Sequence, residues 1–178
     1  MSDTTIPTST APFSPASEAT DACPMPTSEQ APEDEMLAEA LASATTVAVV
    51  GASPNEDRTS HQIALWLMEN TPLEVFLVNP AAGAAEIRGH AFYESLADLP
   101  TPPDIVDVFR RREYVDPIAD EAIAVDARML WLQLGVVNDA AIAKVREAGL
   151  VGVQNRCIKV EYARLQERID AIIAERRE

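Results

Sequence analysis

The residues with chemical potential in this chain are arginines and one glycine turn rather than a nucleophile and base. Gly51-Ala52-Ser53 ends the β-branched run Thr45–Val50, and a polar loop then reaches Arg58, Thr59 and Ser60, where an apolar helical pattern opens. A strand, a glycine turn and a helix start in that order aim the free N–H groups of a helix N-terminus at a phosphate. Thr59 and Gln62 have capping-box spacing, which encodes the helix start locally. A second group, Arg110-Arg111-Arg112, follows Phe109. Guanidinium forks suit phosphate oxygens, and their placement in a chain of formal charge −15 stands out.

Catalytic groups are sparse. His61 and His90 are the chain's two histidines and its candidate general bases, and no nucleophile pair is read around them. The carboxylate runs Glu33-Asp34-Glu35 and Asp120-Glu121 read as solvated surface, and no His/Cys/Asp cluster has metal-ligand spacing. Cys157 reads as a structural cysteine at a helix start. These residues point to binding, not to an enzyme.

The elements that must position these groups follow from periodicity. Met36–Ser43 reads as a short lead-in helix, followed by a strand at Thr46–Val50 and a core helix from about Ser60 to Asn70, with Trp66 and Met68 inside. Leu73–Val78 is a second strand, a weak third lies around His90–Phe92, and Glu94–Leu99 gives one helical turn. Asp104–Phe109 is a fourth strand. Asp116 and Pro117 read as N-cap and first-turn proline of a helix through Val125. Arg128–Leu134 is a fifth strand, Asn138 caps a helix closed by Gly149, and Leu150–Gln154 is a short sixth strand. Leu165, Ile169, Ile172 and Ile173 form the stripe of a C-terminal helix.

Strands and helices alternate, and the strands are apolar runs. That pattern predicts an α/β, Rossmann-like doubly wound, mostly parallel sheet of five to six strands with helices on both faces. Residues 1–35 carry six prolines, many Ser and Thr, and seven acids with no base, and are expected to be a disordered tail. Residues 36–178 then form one Rossmann-like domain with a C-terminal helix. The net negative charge argues against nucleic acid and anionic membrane surfaces. Two distant cysteines, Cys23 and Cys157, no apolar run of membrane-span length and no secretory leader pattern predict a soluble cytoplasmic protein.

In a doubly wound sheet ligands bind at the carboxyl ends of the strands. Those ends here are Gly51-Ala52-Ser53, Asn79-Pro80, Phe109-Arg110-Arg111 and Gln133-Leu134-Gly135. The first turn lacks the GxGxxG pattern, since Ser53 and Glu56 stand where further glycines would be. Asn79 stands where a dinucleotide site wants an acid for the ribose.

The succession VVGAS-PNEDR-TS, LVNP, GHAFYESLADLP, DIVDVFRR, WLQLG and NRCIKVE, from about Thr45 to Leu165, resembles the stand-alone CoA-binding proteins. These are similar to the CoA-binding N-terminal domain of the succinyl-CoA synthetase alpha subunit. The resemblance implies that Gly51, Ala52 and Ser53, with Arg58 and Ser60 beside them, hold CoA phosphate. It further implies Asn79 and Pro80 at the adenosine end, and Phe109 and Arg110 along the adenine or pantetheine path, with Arg111 nearby. Gln133 and Gly135 would sit beside the pantetheine arm. The family's Asp-Arg-Cys reads Asn155-Arg156-Cys157 here, and Tyr162 stands where a His often follows, so no role is carried over to those positions.

The expectation is a non-catalytic module for CoA or acyl-CoA. Its alternatives are an NAD(P)-binding oxidoreductase-like protein and a ligand-free scaffold acting through the acidic tail. An apolar face on the C-terminal helix also suggests a homodimer.

Overall fold

A computed structural model of the chain describes residues 31–176. The elements run α1 (Ala31–Ser43), β1 (Thr46–Val50), α2 (Thr59–Asn70), β2 (Glu74–Val78), β3 (Glu86–Ile87), β4 (His90–Tyr93) and β5 (Ile105–Val108). They continue with α3 (Val115–Ala124), β6 (Met129–Leu132), α4 (Asp139–Glu147), β7 (Val151–Val153) and α5 (Ile158–Glu175). The strands form one seven-stranded sheet ordered β3-β4-β2-β1-β5-β6-β7. All neighbours are parallel except the β3–β4 pair. This is the Rossmann-like doubly wound sheet, with one strand more than the upper expectation.

The extra strand comes from a hairpin too short to leave a periodic signal. Arg88 and Gly89 both have positive φ, 53° and 80°, between the paired Ile87 and His90. Two positive-φ residues are what a type I′ hairpin turn requires, and glycine takes the second without strain.

Alternation along the central strands sorts side chains to two faces. Val47, Val49, Ile105 and Trp131 meet Leu67, Tyr162 and Ile169 on the side of α1, α2 and α5. Ala48, Val50, Val106, Val108 and Leu130 meet Ala119, Ala122 and Val145 on the side of α3 and α4. Trp66 and Met68 are only partly buried. Trp66 stands edge-on to Tyr162 at 6.2 Å, with the Lys159 ammonium over its ring.

Several local expectations change. The helix expected at Met36–Ser43 begins at Ala31, so residues 31–35 leave the expected tail; residues 1–30 lie outside the described residues. Buried Asp34 takes a two-pronged pair from Arg164 of α5, both bonds 2.7 Å, and this pulls acidic residues into the fold. The Arg164 hydrogen bond, against some opposing burial, holds the Asp34 carboxyl below its ordinary value. With α1 packed along α5, Leu165 and Ile169 of the C-terminal stripe are buried, while Ile172 and Ile173 are partly buried.

Thr59 is the first helical residue of α2, not its cap. The N-cap is Arg58, with no side-chain cap bond, and Gln62 Nε2 donates instead to the Glu56 carbonyl, 3.3 Å. Likewise α3 opens at Val115 after a 3₁₀ turn at Arg112–Tyr114, so Asp116 lies inside the first turn and accepts from Asn138 Nδ2, 3.0 Å. Asn138 does cap α4, accepting from the Ala141 N–H.

At the amino end of the sheet, Asp104 ties β5 to β1. It accepts from the Thr45 N–H and Oγ1 at 2.7 and 2.8 Å, and Arg128 lies 3.3 Å away. Burial opposes its charge, yet these donors outweigh burial and keep the carboxyl below its ordinary value. No helix among the described residues is long and apolar enough to cross a membrane.

Candidate functional site at the β1–β5 switch point

The chain leaves β1 toward β2 on one side and later returns to place β5 on the other, so the strand order reverses between β1 and β5. That is where a doubly wound sheet opens a crevice at its carboxyl edge. The ladder runs one residue beyond each strand: the Gly51 N–H donates to the Val78 carbonyl and the Phe109 N–H to the Val50 carbonyl, both 2.8 Å. Gly51 and Arg110, far apart in sequence, thereby become neighbours.

Gly51 has φ +86°, and a Cβ there would lie 2.8 Å from Arg110 Cδ and 3.3 Å from the Phe109 carbonyl carbon. Only glycine fits both the turn and the approach. Arg110 is half-buried, and its guanidinium lies 4.9 Å from the centre of the Tyr114 ring. Stacking on an aromatic face fixes the fork without consuming its N–H donors. Among the described residues neither Arg58 nor Arg110 forms an ion pair, whereas Arg111 sits 3.9 Å from Glu113 and is largely exposed.

The loop from Gly51 to α2 is pinned from two sides. Asn79 Nδ2 donates to the Ala52 carbonyl at 2.8 Å, and His61 Nδ1 lies 2.9 Å from the Ser53 carbonyl. A carbonyl partner assigns the proton to Nδ1 of the buried imidazole. The Ser53 hydroxyl accepts from the Asn55 N–H, and Asn55 Oδ1 from the Asp57 N–H. Among the described residues the first-turn N–H groups of Thr59 and Ser60 have no acceptor. Ser60 is buried in that turn, and Arg58 stands exposed at its entrance.

Between β1, β2 and α3 lies a cleft of about 190 Å³, walled by Val50, Gly51, Val78, Asn79, Pro80, Ser95, Arg110, Tyr114, Pro117 and Ile118, with Glu94 and Glu121. A shallower hollow joins Phe109, Arg110, Arg111 and Tyr114. The structure therefore brings Gly51, Asn79, Pro80 and Arg110 to one cleft, with Phe109 and Arg111 beside it. Asn79 also accepts from the Ala81 N–H at 3.0 Å, so its side chain serves the loop. Gln133 and Gly135 lie at the end of β6, on the far side of β5 from β1. Gly135 has φ +83° and donates its N–H to Asn155 Oδ1 at 2.9 Å. Gln133 turns Nε2 inward to Asp107 Oδ1 at 2.8 Å.

Sequence reasoning missed Tyr114 and Asp107. Tyr114 could have been found as an aromatic residue close behind the arginine run. Asp107 hides within an apolar strand, completely buried between Val49 and Trp131 in register. Burial pushes its carboxyl up to about 8, with only the Gln133 hydrogen bond pulling the other way. His90 is exposed at the hairpin, Tyr162 is a core residue, and Cys157 is the half-buried N-cap of α5.

A larger cleft of about 490 Å³ opens at the opposite, amino edge of the sheet. The C-terminal ends of α1, α3 and α4 converge there with Asp104 and Asp126, and its arginine, Arg128, is paired to Asp104. Helix C-termini and carboxylates repel an anion, so this larger space is unsuited to phosphate.

A family model described as a CoA binding domain matches residues 45–163. The chain belongs to this CoA-binding family. The uncharacterised protein YneT of Bacillus subtilis is 37% identical over 134 residues, 75% of this chain and 97% of its own length. A solved protein from Thermus thermophilus is 35% identical with a TM-score of 0.70, covering 74% of this chain and 98% of that one. A dinucleotide-forming acetyl-coenzyme A synthetase from Ca. Korarchaeum cryptofilum, 19% identical with a TM-score of 0.56 over 62% of this chain and 26% of its own, shares the fold alone.

Proposed function

We propose that this domain binds CoA or an acyl-CoA without transforming it, holding the phosphates at the β1–α2 turn. The observation that carries this reading is the meeting of Gly51 with Arg110 at the switch point. A backbone without a side chain, a guanidinium stacked on Tyr114 and first-turn N–H groups of α2, both without partners among the described residues, share one edge of the sheet. Phosphate oxygens want those donors. Arg58 at the N-cap would meet the same anion, and Ala52, Ser53 and Ser60 would supply the cradle.

The neighbouring cleft fits the other end of the ligand. Val50, Val78, Pro80, Pro117 and Ile118 offer apolar walls to a flat heterocycle, and Tyr114 adds an aromatic edge. Glu94, Glu121 and Ser95 can accept from an exocyclic amine. Phe109, Arg111, Gln133 and Gly135 then lie on the side toward which the pantetheine arm would extend. CoA supplies a thiol that carries acyl groups; the chain's residues supply grip and orientation.

A binding rather than catalytic role is supported by how the imidazoles are used. His61 is committed to the Ser53 carbonyl, and His90 stands at the hairpin on the sheet edge. A nicotinamide dinucleotide is disfavoured because Asn79 replaces the ribose-binding acid and its amide is already engaged on the loop.

Calorimetric titration with CoA, NAD⁺ and NADP⁺ tests the reading. Saturable binding of CoA is expected, with Arg110→Ala weakening it by roughly 10- to 100-fold, the worth of a charge-assisted hydrogen bond. Preference for a nicotinamide nucleotide, or an Arg110→Ala variant that binds CoA like the wild type, would overturn it. No binding of any nucleotide would favour the scaffold reading.

A further inference from the structure

Asp107 Oδ2 is, among the described residues, the one buried side-chain polar atom with no hydrogen-bond partner. Its companion oxygen makes a single bond, to Gln133 Nε2. A carboxyl on a central strand between Val49 and Trp131 is a poor choice for packing, since burying a polar group without full compensation destabilises the fold. Residues that break a packing rule in this way belong to sites more often than to cores. What Asp107 gains in return is control of one side chain.

That control is directional. A glutamine amide has a donor end and an acceptor end, and with the carboxyl proton on Oδ2, Asp107 Oδ1 accepts from Nε2. It therefore takes the NH₂ end and leaves the carbonyl end of Gln133 turned the other way. Gln133 follows the last residue of β6 at the carboxyl edge, next to the exposed Leu134 and Gly135. We propose that Asp107 is a positioning residue that orients Gln133, so that Gln133 Oε1 accepts an amide N–H from the pantetheine arm of CoA. This inference rests on the CoA reading above and assigns the selection of the arm, as distinct from the nucleotide, to the Asp107–Gln133 pair.

The test compares CoA with 3′-phospho-ADP, which lacks the arm, on Asp107→Asn and Asp107→Val variants of the full chain. Asparagine keeps a carbonyl acceptor for Gln133, and valine removes it. Asp107→Val should bind CoA about tenfold more weakly while 3′-phospho-ADP is held as by the wild type, the span of one lost hydrogen bond. Asp107→Asn should keep both affinities within about twofold. A merely structural role would move both ligands together. Should valine prevent folding, Asp107→Ala, which adds no group to the core, replaces it. Equal losses for both ligands, no loss for either, or an Asp107→Asn variant as impaired as Asp107→Val would overturn the proposal. A wild type that binds 3′-phospho-ADP but gains nothing from the arm would overturn it as well. Failure of the wild type to bind either compound would instead sink the CoA reading itself.

Discussion

Replacing Asp107 by asparagine should stabilise the protein, and the gain should grow with pH. The native carboxyl, pushed up to about 8, keeps its proton across most of the range in which the unfolded chain, titrating near 3.8, has lost it. Between those values the native state binds more protons, so its stability falls as pH rises. Each pH unit in that window costs about 1.4 kcal/mol, which amounts to about 4 kcal/mol by pH 7 and levels off above pH 8. Asparagine does not titrate, so it carries none of this cost. It does bury an amide donor where Oδ2 stands without a partner, an offset of about 1–3 kcal/mol. The net gain at pH 7 is therefore on the order of 1–3 kcal/mol. Urea unfolding of wild type and Asp107→Asn at pH 5, 7 and 8.5 measures it, and the difference between the two cancels every other titrating group. That difference should rise from pH 5 to pH 8 and then flatten. A difference independent of pH would show that Asp107 is ionised throughout in the folded state, and the burial argument would be refuted.

Gly51→Ala should lower stability by about 1–2 kcal/mol from the left-handed φ alone, and should weaken CoA binding further because the new Cβ displaces Arg110; urea unfolding and calorimetry read the two effects separately. Asp34→Ala leaves Arg164 without its main partner and should loosen α1 from α5, costing about 1–3 kcal/mol, with faster hydrogen exchange confined to those helices. Because the Asp34 carboxyl is held below its ordinary value, its contribution is present above about pH 4 and is lost as acid protonates it, so wild type and Asp34→Ala should converge in stability at low pH.

Much of the architecture is written in local pattern. The β-branched run before Gly51, the apolar strands and the alternating helices are signals of period two or of 3.6 residues, which any window of the chain displays. A parallel doubly wound sheet then collects strand ends at one edge, so Gly51, Asn79, Arg110 and Gln133 could be named as candidates before any geometry. Local pattern also misled where a neighbour in space competed for the same group. Thr59 has the spacing of a cap but is the first residue of α2, Asp116 gives its carboxylate to Asn138, and Asn79 spends its amide on the Ala52 carbonyl.

The sequence by itself determined the order and type of the elements apart from the two-residue strand β3, the glycine turn ahead of α2 and the family motifs from Thr45 onward, because backbone propensity and hydrophobic period act over a few residues. Only the tertiary structure decided that β5 lies beside β1, which sets Arg110 against Gly51, and that α1 covers α5 through Asp34 and Arg164. The pairing of Asp107 with Gln133 across 26 residues belongs to that second class. Its meaning depends on burial, and whether a carboxyl is buried is a property of everything packed around it, not of its neighbours in the chain.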